Sequence, residues 1–393
     1  MRLLFVHDHR FYRGDDGAVF TSGSLPAAIW GRYLEHFETV RVVGRDGGPP
    51  PAAARFAQSS RPGVSFDLVS GVSYSQLIVG AEGVRERIRS AVAECDAAIV
   101  RLPSELGFLA AAECRKAGKP YAVEMVGCAW DAMRNHGSRS ARLYAPLFFR
   151  RTRRALRRAP LTLYVTRRWL QQRYPTNGTA YGASDVEIAP ISAEDRAARH
   201  ARLERIASGE LPVLGTVASL RIRSKGIQTA LAALEALRKD GVALRYRVLG
   251  GGDSAPWVAL AERHGVGDLV SFDGIRPAGA GVAQWLDSID VHLQPSFQEG
   301  LPRATVEAMS RGAACIGSTC GGIPELLPPE RLHEPGDVAG LAQRIRALAS
   351  DPAALAEASR RDFETARDFQ PDRLAAIRAT FLAELRAAVE RAR

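Results

Sequence analysis

The sequence has no apolar run approaching the roughly 20 residues that cross a bilayer, so no membrane-spanning helix is predicted. Its first residues, Met1-Arg2-Leu3-Leu4-Phe5-Val6, turn polar at His7-Asp8-His9. That run is too short for a secretory signal and reads as a first buried strand. Cysteine is sparse and odd in number: Cys95, Cys114, Cys128, Cys315 and Cys320, with no Cys-x-x-Cys pair and no histidines at finger spacing. This excludes a disulfide framework or a zinc module and points to reduced thiols and a cytoplasmic location. Lysine is scarce too. The net charge of +10 rests on arginine and predicts an anionic partner: a nucleotide, a phosphorylated acceptor, a membrane surface or nucleic acid. Nucleic acid is disfavoured, because aromatic residues are only 7%, no RNA- or DNA-binding motif occurs, and the arginines cluster in one stretch.

What is present is a long alternation of short apolar runs and amphipathic stretches. A length of 393 residues implies two domains, each large enough for its own core. Leu3–Val6, Val40–Val43, Ala97–Val100, Tyr121–Val126 and Leu161–Val165 read as strands, with Leu25–Phe37 and Leu106–Ala117 as helical stretches between them. A polar stretch around Ser192–Glu210 interrupts the rhythm, which restarts at Leu211–Leu220. The next helix carries Ile227, Ala230, Leu231, Leu234 and Leu237 on one stripe, and Gly241 sits where a carboxyl-terminal cap belongs. Two doubly wound α/β domains in tandem are therefore predicted, residues 1–192 and 208–370, followed by a helix over Arg373–Arg393. In such folds ligands bind beyond the carboxyl ends of the strands.

The stretch Gln294–Met309 leaves a predicted strand, Ile289–Leu293, and opens a helix, with Pro302 suited to the first turn. A helix start presents unpaired amides to an anion or to sugar hydroxyls. Glu299 and Glu307 are eight residues apart, one in the loop and one about two turns on. They are too far apart to act as one glycosidase dyad, and each suits a different part of one long ligand. Gly250-Gly251-Gly252-Asp253 is a glycine turn after a strand without G-x-G-x-x-G spacing.

The run Pro295-Ser296-x-x-Glu299-Gly300-Leu301-Pro302-x-x-x-x-Glu307-Ala308-Met309, with Gly321-Gly322-Ile323-Pro324-Glu325 beyond it, resembles the signature of glycosyltransferase family 4. The resemblance implies the GT-B fold, with two Rossmann-like domains facing each other across a cleft. It also implies a retaining, metal-independent transferase that uses a nucleoside-diphosphate sugar as co-substrate and has no separate cofactor. By the same resemblance Glu299 lies by the donor sugar, the Gly300 and Leu301 amides hold sugar hydroxyls at the helix opened by Pro302, and Glu307 binds the ribose. Ser219-Leu220-x-x-x-x-Lys225-Gly226 is a second match, in which Lys225 meets the diphosphate. A preplaced cation there stabilises the charge left when the sugar–phosphate bond breaks. Relatives carry an arginine in a Gly-Arg-Leu pattern where this chain has Ala218-Ser219-Leu220, so Arg221 or Arg223 supplies the second cation, with Arg221 favoured. Gly251 and the loop at Gly274-Ile275 are expected as walls of the donor site. The last helix is expected to return to the first domain.

The amino-terminal half matches less closely. Ser22-Gly23-Ser24-Leu25, ahead of Trp30 and Tyr33, is similar to the glycine loop that faces the donor phosphates, and places Gly23 in the donor site. Asp131 and His136, after the strand Tyr121–Val126, are the acceptor-side candidates, His136 also as a group at the reacting region. Eleven arginines between Arg139 and Arg173, interleaved with Leu143, Tyr144, Leu147, Phe148, Phe149 and Leu156, read as a basic amphipathic helix. It rests either on anionic lipid or, by its apolar stripe, on the core. The expected activity is transfer of a hexose-type sugar to a saccharide or lipid-linked glycan in bacterial surface polysaccharide or glycoconjugate synthesis. The alternatives are a sugar-nucleotide epimerase of the same fold, which the two-glutamate spacing disfavours, and a basic nucleic-acid-binding protein.

Overall fold

The computed structural model describes residues 1–393 apart from 23–24, 51–55, 73–75, 78–81 and 135–136. The chain divides into two compact units, Met1–Ala183 with Ala375–Arg393, and Ser184–Leu374. In the amino-terminal unit the strands are β1 (Arg2–Arg13), β2 (Val19–Thr21), β3 (Thr39–Asp46), β4 (Ala57–Gln58), β5 (Val64–Val69), β6 (Ala97–Leu102), β7 (Tyr121–Met125), β8 (Leu161–Tyr164) and β9 (Thr179–Gly182). The parallel order is β5-β3-β1-β6-β7-β8-β9. Strand β1 outruns the apolar Leu3–Val6 and continues through His7-Asp8-His9 to Arg13, where β2 pairs with it antiparallel. Every residue of β6 and β7 is buried, as expected of a parallel sheet covered on both faces.

In the carboxyl-terminal unit β10 (Leu214–Val217), β11 (Tyr246–Leu249), β12 (Val270–Phe272), β13 (Val291–Gln294), β14 (Ala314–Ser318) and β15 (Leu332–His333) form an all-parallel sheet in the order β12-β11-β10-β13-β14-β15. The helices referred to below are α1 (Glu105–Lys116), α2 (Arg139–Arg157), α3 (Ile227–Lys239), α4 (Arg303–Ser310) and α5 (Pro371–Ala392). The α3 stripe Ile227, Ala230, Leu231, Leu234 and Leu237 is buried against Leu214, Leu293 and Ile316. Truncating one of these leucines to alanine costs about 2–5 kcal/mol. Gly241 follows α3 with φ 79°, the left-handed position that ends a helix.

Two expectations about organisation differ from the structure. The polar stretch after Ser192 is not a linker but a helix, Ala193–Ala207, begun by a capping box between Ser192 and Asp195. Buried Arg199 reaches the Ile289 and Arg311 carbonyls at 2.8 and 2.9 Å, and Arg202 grips Asp290 with two bonds of 2.7 Å. These contacts tie the helix to the amino end of β13, so the division falls at Ala183/Ser184 and not between 192 and 208. The arginine-rich stretch Arg139–Arg173 is not one helix either. It comprises α2, the strand β8 and a short helix Trp169–Arg173, because Ala159-Pro160 and the apolar Leu161–Tyr164 break the helical pattern. Residues of α5 from Ala375 onward group with the amino-terminal unit. Phe381 packs on Tyr181 there, and Glu384 accepts from the Tyr181 hydroxyl at 2.8 Å.

Candidate functional site

The loops that leave the carboxyl ends of β12, β11, β10, β13 and β14 carry, in that spatial order, Gly274-Ile275, Gly250–Gly252, Ser219–Gly226, Pro295–Pro302 and Thr319–Gly322. They are stitched to one another by backbone hydrogen bonds. Gly250 N donates to Gly274 O at 2.8 Å, Leu220 N to Gly251 O at 2.9 Å, Phe297 N to Ser224 O at 2.7 Å and Gly322 N to Gly300 O at 2.7 Å. Two glycines make this closeness possible. At Gly226, φ 80°, a Cβ would stand 1.8 Å from the Pro295 carbonyl oxygen, and at Gly321, φ 60°, it would stand 2.1 Å from that of Glu299. No other residue fits either place.

Lys225 ends the short turn before α3, and its ammonium donates to Glu299 Oε1 at 2.7 Å. The same oxygen accepts from Gln294 Nε2 and Ser296 Oγ, each at 2.8 Å. Glu299 Oε2 has no protein partner among the described residues. One carboxylate oxygen is thus saturated by three donors and the other is left for a ligand. Beyond Glu299, the amides of Gly300 and Leu301 meet no acceptor among the described residues, and Pro302 caps α4 without a side-chain bond to its first turn. The helix start therefore presents donors and a positive dipole end beside a fixed ammonium, an arrangement suited to a phosphorylated, hydroxyl-rich ligand. Glu307, about one turn into α4, is partly buried. Burial raises its carboxyl above the usual range, and Arg303, 3.8 Å away, counteracts this.

Residues 211–351 match the family of glycosyl transferases group 1. Protein CapJ of Staphylococcus aureus is 29% identical over 88% of this chain and 85% of its own length. The 2-deoxystreptamine glucosyltransferase of Streptomyces kanamyceticus is 29% identical over 70% of this chain and 76% of its own. Among solved structures, Anabaena Alr3699/HepE in complex with UDP superposes with a TM-score of 0.64 at 16% identity, over 98% of this chain and all of that one. The chain is a glycosyltransferase of the GT-B fold.

In this transferase Ser219, Lys225, Gly251, Gly274, Ile275, Glu299, Gly300, Leu301, Pro302 and Glu307 all stand on that one edge of the six-stranded sheet. The two arginine alternatives are distinguished by their surroundings. Arg223 stacks its guanidinium 5.7 Å from the Trp257 ring centroid. The Arg221 side chain is exposed and has no protein partner among the described residues. Gly23 and His136 lie outside the described residues. Asp131 sits in the short helix Ala129–Arg134 after β7, and its charge helps raise the neighbouring Arg173 guanidinium.

Residues that the sequence reading passed over support Glu299 from below. Gln294, at the end of β13, accepts from Thr305 Oγ1 at 3.2 Å and contacts His292 Nε2 at 3.2 Å, while donating to Ser296 and Glu299. Burial lowers His292 to about 4, so the ring is neutral and its Nε2–H faces the Gln294 carbonyl oxygen. The signal was present in the sequence. His292 and Gln294 are polar positions in a central parallel strand, where near-continuous apolar residues are the rule. In the amino-terminal unit, Asp8 Oδ atoms accept from the Glu105 and Leu106 amides at 2.6 and 2.9 Å, capping α1. Glu124 accepts from the Tyr33 hydroxyl at 2.8 Å and pairs with Arg101 at 3.7 Å.

Proposed function

We propose that the transferase moves a hexose-type sugar from a nucleoside-diphosphate donor to an acceptor hydroxyl with retention, on a saccharide or lipid-linked glycan of surface polysaccharide or glycoconjugate synthesis. The observation that carries this is the Lys225–Glu299 pair at the unsatisfied start of α4. In this reading Glu299 Oε2 and the Gly300 and Leu301 amides hold the sugar hydroxyls, Glu307 accepts from the ribose, and Lys225 with Arg221 binds the diphosphate. The bond from the anomeric carbon to the donor phosphate oxygen breaks. The acceptor oxygen bonds that carbon on the same face, and its proton passes to a diphosphate oxygen, so no protein base is needed. Lys225 and Arg221 neutralise the departing charge in place of a metal. That the HepE neighbour of the same fold binds UDP supports a nucleotide donor, and Asp131 and His136 are proposed on the acceptor side. Peripheral attachment to the inner face of an anionic plasma membrane is part of the same proposal.

The test is a panel of nucleoside-diphosphate sugars screened by thermal shift. The sugar that stabilises is then used in a transfer reaction whose product is read by the anomeric proton coupling. One member of the panel should stabilise by several degrees, and the product should keep the donor's anomeric configuration. An inverted product would overturn the mechanism, and no stabilisation by any member would overturn the donor class.

A further inference from the structure

In the amino-terminal sheet the chain winds outward from β1 through β3 to β5, then crosses back to β6 on the other side of β1. The carboxyl ends of β1 and β6 are therefore the switch point of this sheet, where doubly wound folds open a crevice for ligands. Strand β1 is irregular at that end. Val6 pairs with Val43 and Arg10 with Arg45, so β1 advances four residues while β3 advances two. Such a bulge re-aims side chains and is frequent beside binding sites. Gly44 lies opposite it, and a Cβ there would stand 2.7 Å from the Phe11 ring and 3.1 Å from the His9 carbonyl oxygen. The bulge carries His7 and His9, stacked with ring centroids 6.4 Å apart, while Asp8 between them caps α1.

The surroundings of the two rings decide what they can bind. One step back along β1, Trp30 and Tyr33 cover Phe5 at 5.2 and 5.6 Å. On β6, Arg101 comes two residues after Ile99, the partner of Phe5, and pairs with Glu124 of β7 at 3.7 Å. Burial first, and then the Arg101 charge, lowers both histidines, so their rings stay neutral at physiological pH. His9 Nε2 meets Thr21 Oγ1 at 2.7 Å. Neither nitrogen of His7 has a partner among the described residues, and Nδ1 is buried. A proton on Nδ1 would be a buried donor with nothing to receive it, so the proton sits on Nε2. The Arg101–Glu124 pair balances its own charge. The group thus offers hydrogen bonds without net charge, which suits sugar hydroxyls and disfavours a carboxylate or phosphate that would enter uncompensated. We propose that His7 and His9 hold the hydroxyls of the acceptor sugar, and that this sugar is uncharged. The proposal rests on the reading of the chain as a transferase to an acceptor hydroxyl, and adds to it the residues that grip the acceptor and the class of acceptor they admit.

Saturation-transfer NMR titration with the methyl glycosides of glucose, galactose, mannose and N-acetylglucosamine tests the subsite without any donor. At least one of these should bind, and methyl glucuronide, the charged probe, should displace it at least about tenfold more weakly. His7→Leu should weaken the neutral glycoside at least about tenfold, and His7→Gln, which keeps an N–H donor, should restore part of that loss, with circular dichroism unchanged in both. In transfer with the stabilising nucleotide sugar, His7→Leu should raise the acceptor KM and leave donor affinity within about twofold. The proposal is overturned if His7→Leu binds the glycoside as the parent protein does, if it loses donor affinity by as much, if methyl glucuronide competes as well as the neutral glycosides, or if no glycoside binds. Glycoside binding that His7→Leu loses, in a protein stabilised by no nucleotide sugar, would uphold the subsite and overturn the donor reading instead.

Discussion

Two basic surfaces of this protein are built on opposite terms. At the carboxyl edge of β10 and β13, Lys225 is already held at 2.7 Å by Glu299, whose orientation is set in turn by Gln294 and Ser296. On the outer face of α2, five arginines project without any carboxylate partner among the described residues. The first arrangement spends its charge on geometry, as a site must when it holds one ligand in one pose. The second spends geometry on charge and suits an anion of variable shape. A positive charge in the sequence therefore says little until its partners are known.

That contrast breaks or sharpens under mutation. The largest effect is expected at the fixed site. Lys225→Ala and Glu307→Ala should each lower kcat/KM by at least about a hundredfold, or roughly 3 kcal/mol of transition-state stabilisation, with circular dichroism unchanged. Arg154→Glu/Arg157→Glu should leave transfer to a soluble acceptor nearly intact. Equal losses from both surfaces would erase the distinction.

Acidification acts on both units. Loss of water contact lowers His7 well below its ordinary value and His9 to about 4 in the first, and lowers His333 and takes His292 to about 4 in the second. Above about pH 6.5 these rings are neutral folded or unfolded. As pH falls toward 4 the unfolded chain takes up protons that the folded one refuses, so stability is lost in that window. His292 alone accounts for at most roughly 3 kcal/mol. The melting temperature should fall steadily from pH 6.5 to pH 4, and His292→Asn should flatten the fall. A flat profile in the parent protein would contradict the buried neutral state.

Smaller effects probe the scaffold of the fixed site alone. Gly226→Ala forces a Cβ onto the Pro295 carbonyl and should cost roughly 2–3 kcal/mol in urea unfolding. Gln294→Leu leaves Thr305 and His292 without their acceptor and should cost about 1–2 kcal/mol. It should also lower kcat more than it raises KM, because Glu299 and Lys225 lose their orientation. A purely structural role for Gln294 would change stability and leave that ratio untouched.

Much of the fixed site was legible because its parts are adjacent in sequence or follow strands at regular spacing. The α3 stripe, the strand ahead of the Gly250–Asp253 turn and the helix after Pro302 stand where the sequence pattern puts them. The Lys225–Glu299 bond was not legible, since it joins residues 74 apart through a parallel-sheet crossover that no local pattern encodes. The helix Ala193–Ala207 was hidden for a different reason. Its anchoring residues Arg199 and Arg202 look like surface charge until Asp290 and two carbonyls are brought to meet them. The arginine run misleads in the opposite sense, since it reads as one helix straight across Leu161–Val165, a stretch the apolar pattern itself marks as a strand.

The most direct test of the account is calorimetric titration of the stabilising nucleoside diphosphate into the parent protein, Lys225→Ala, Glu307→Ala and Arg154→Glu/Arg157→Glu. Binding weakened at least tenfold in the first two variants and unchanged in the third is the predicted result. Binding lost in the arginine variant and retained in the other two would place the nucleotide on α2 and contradict the account.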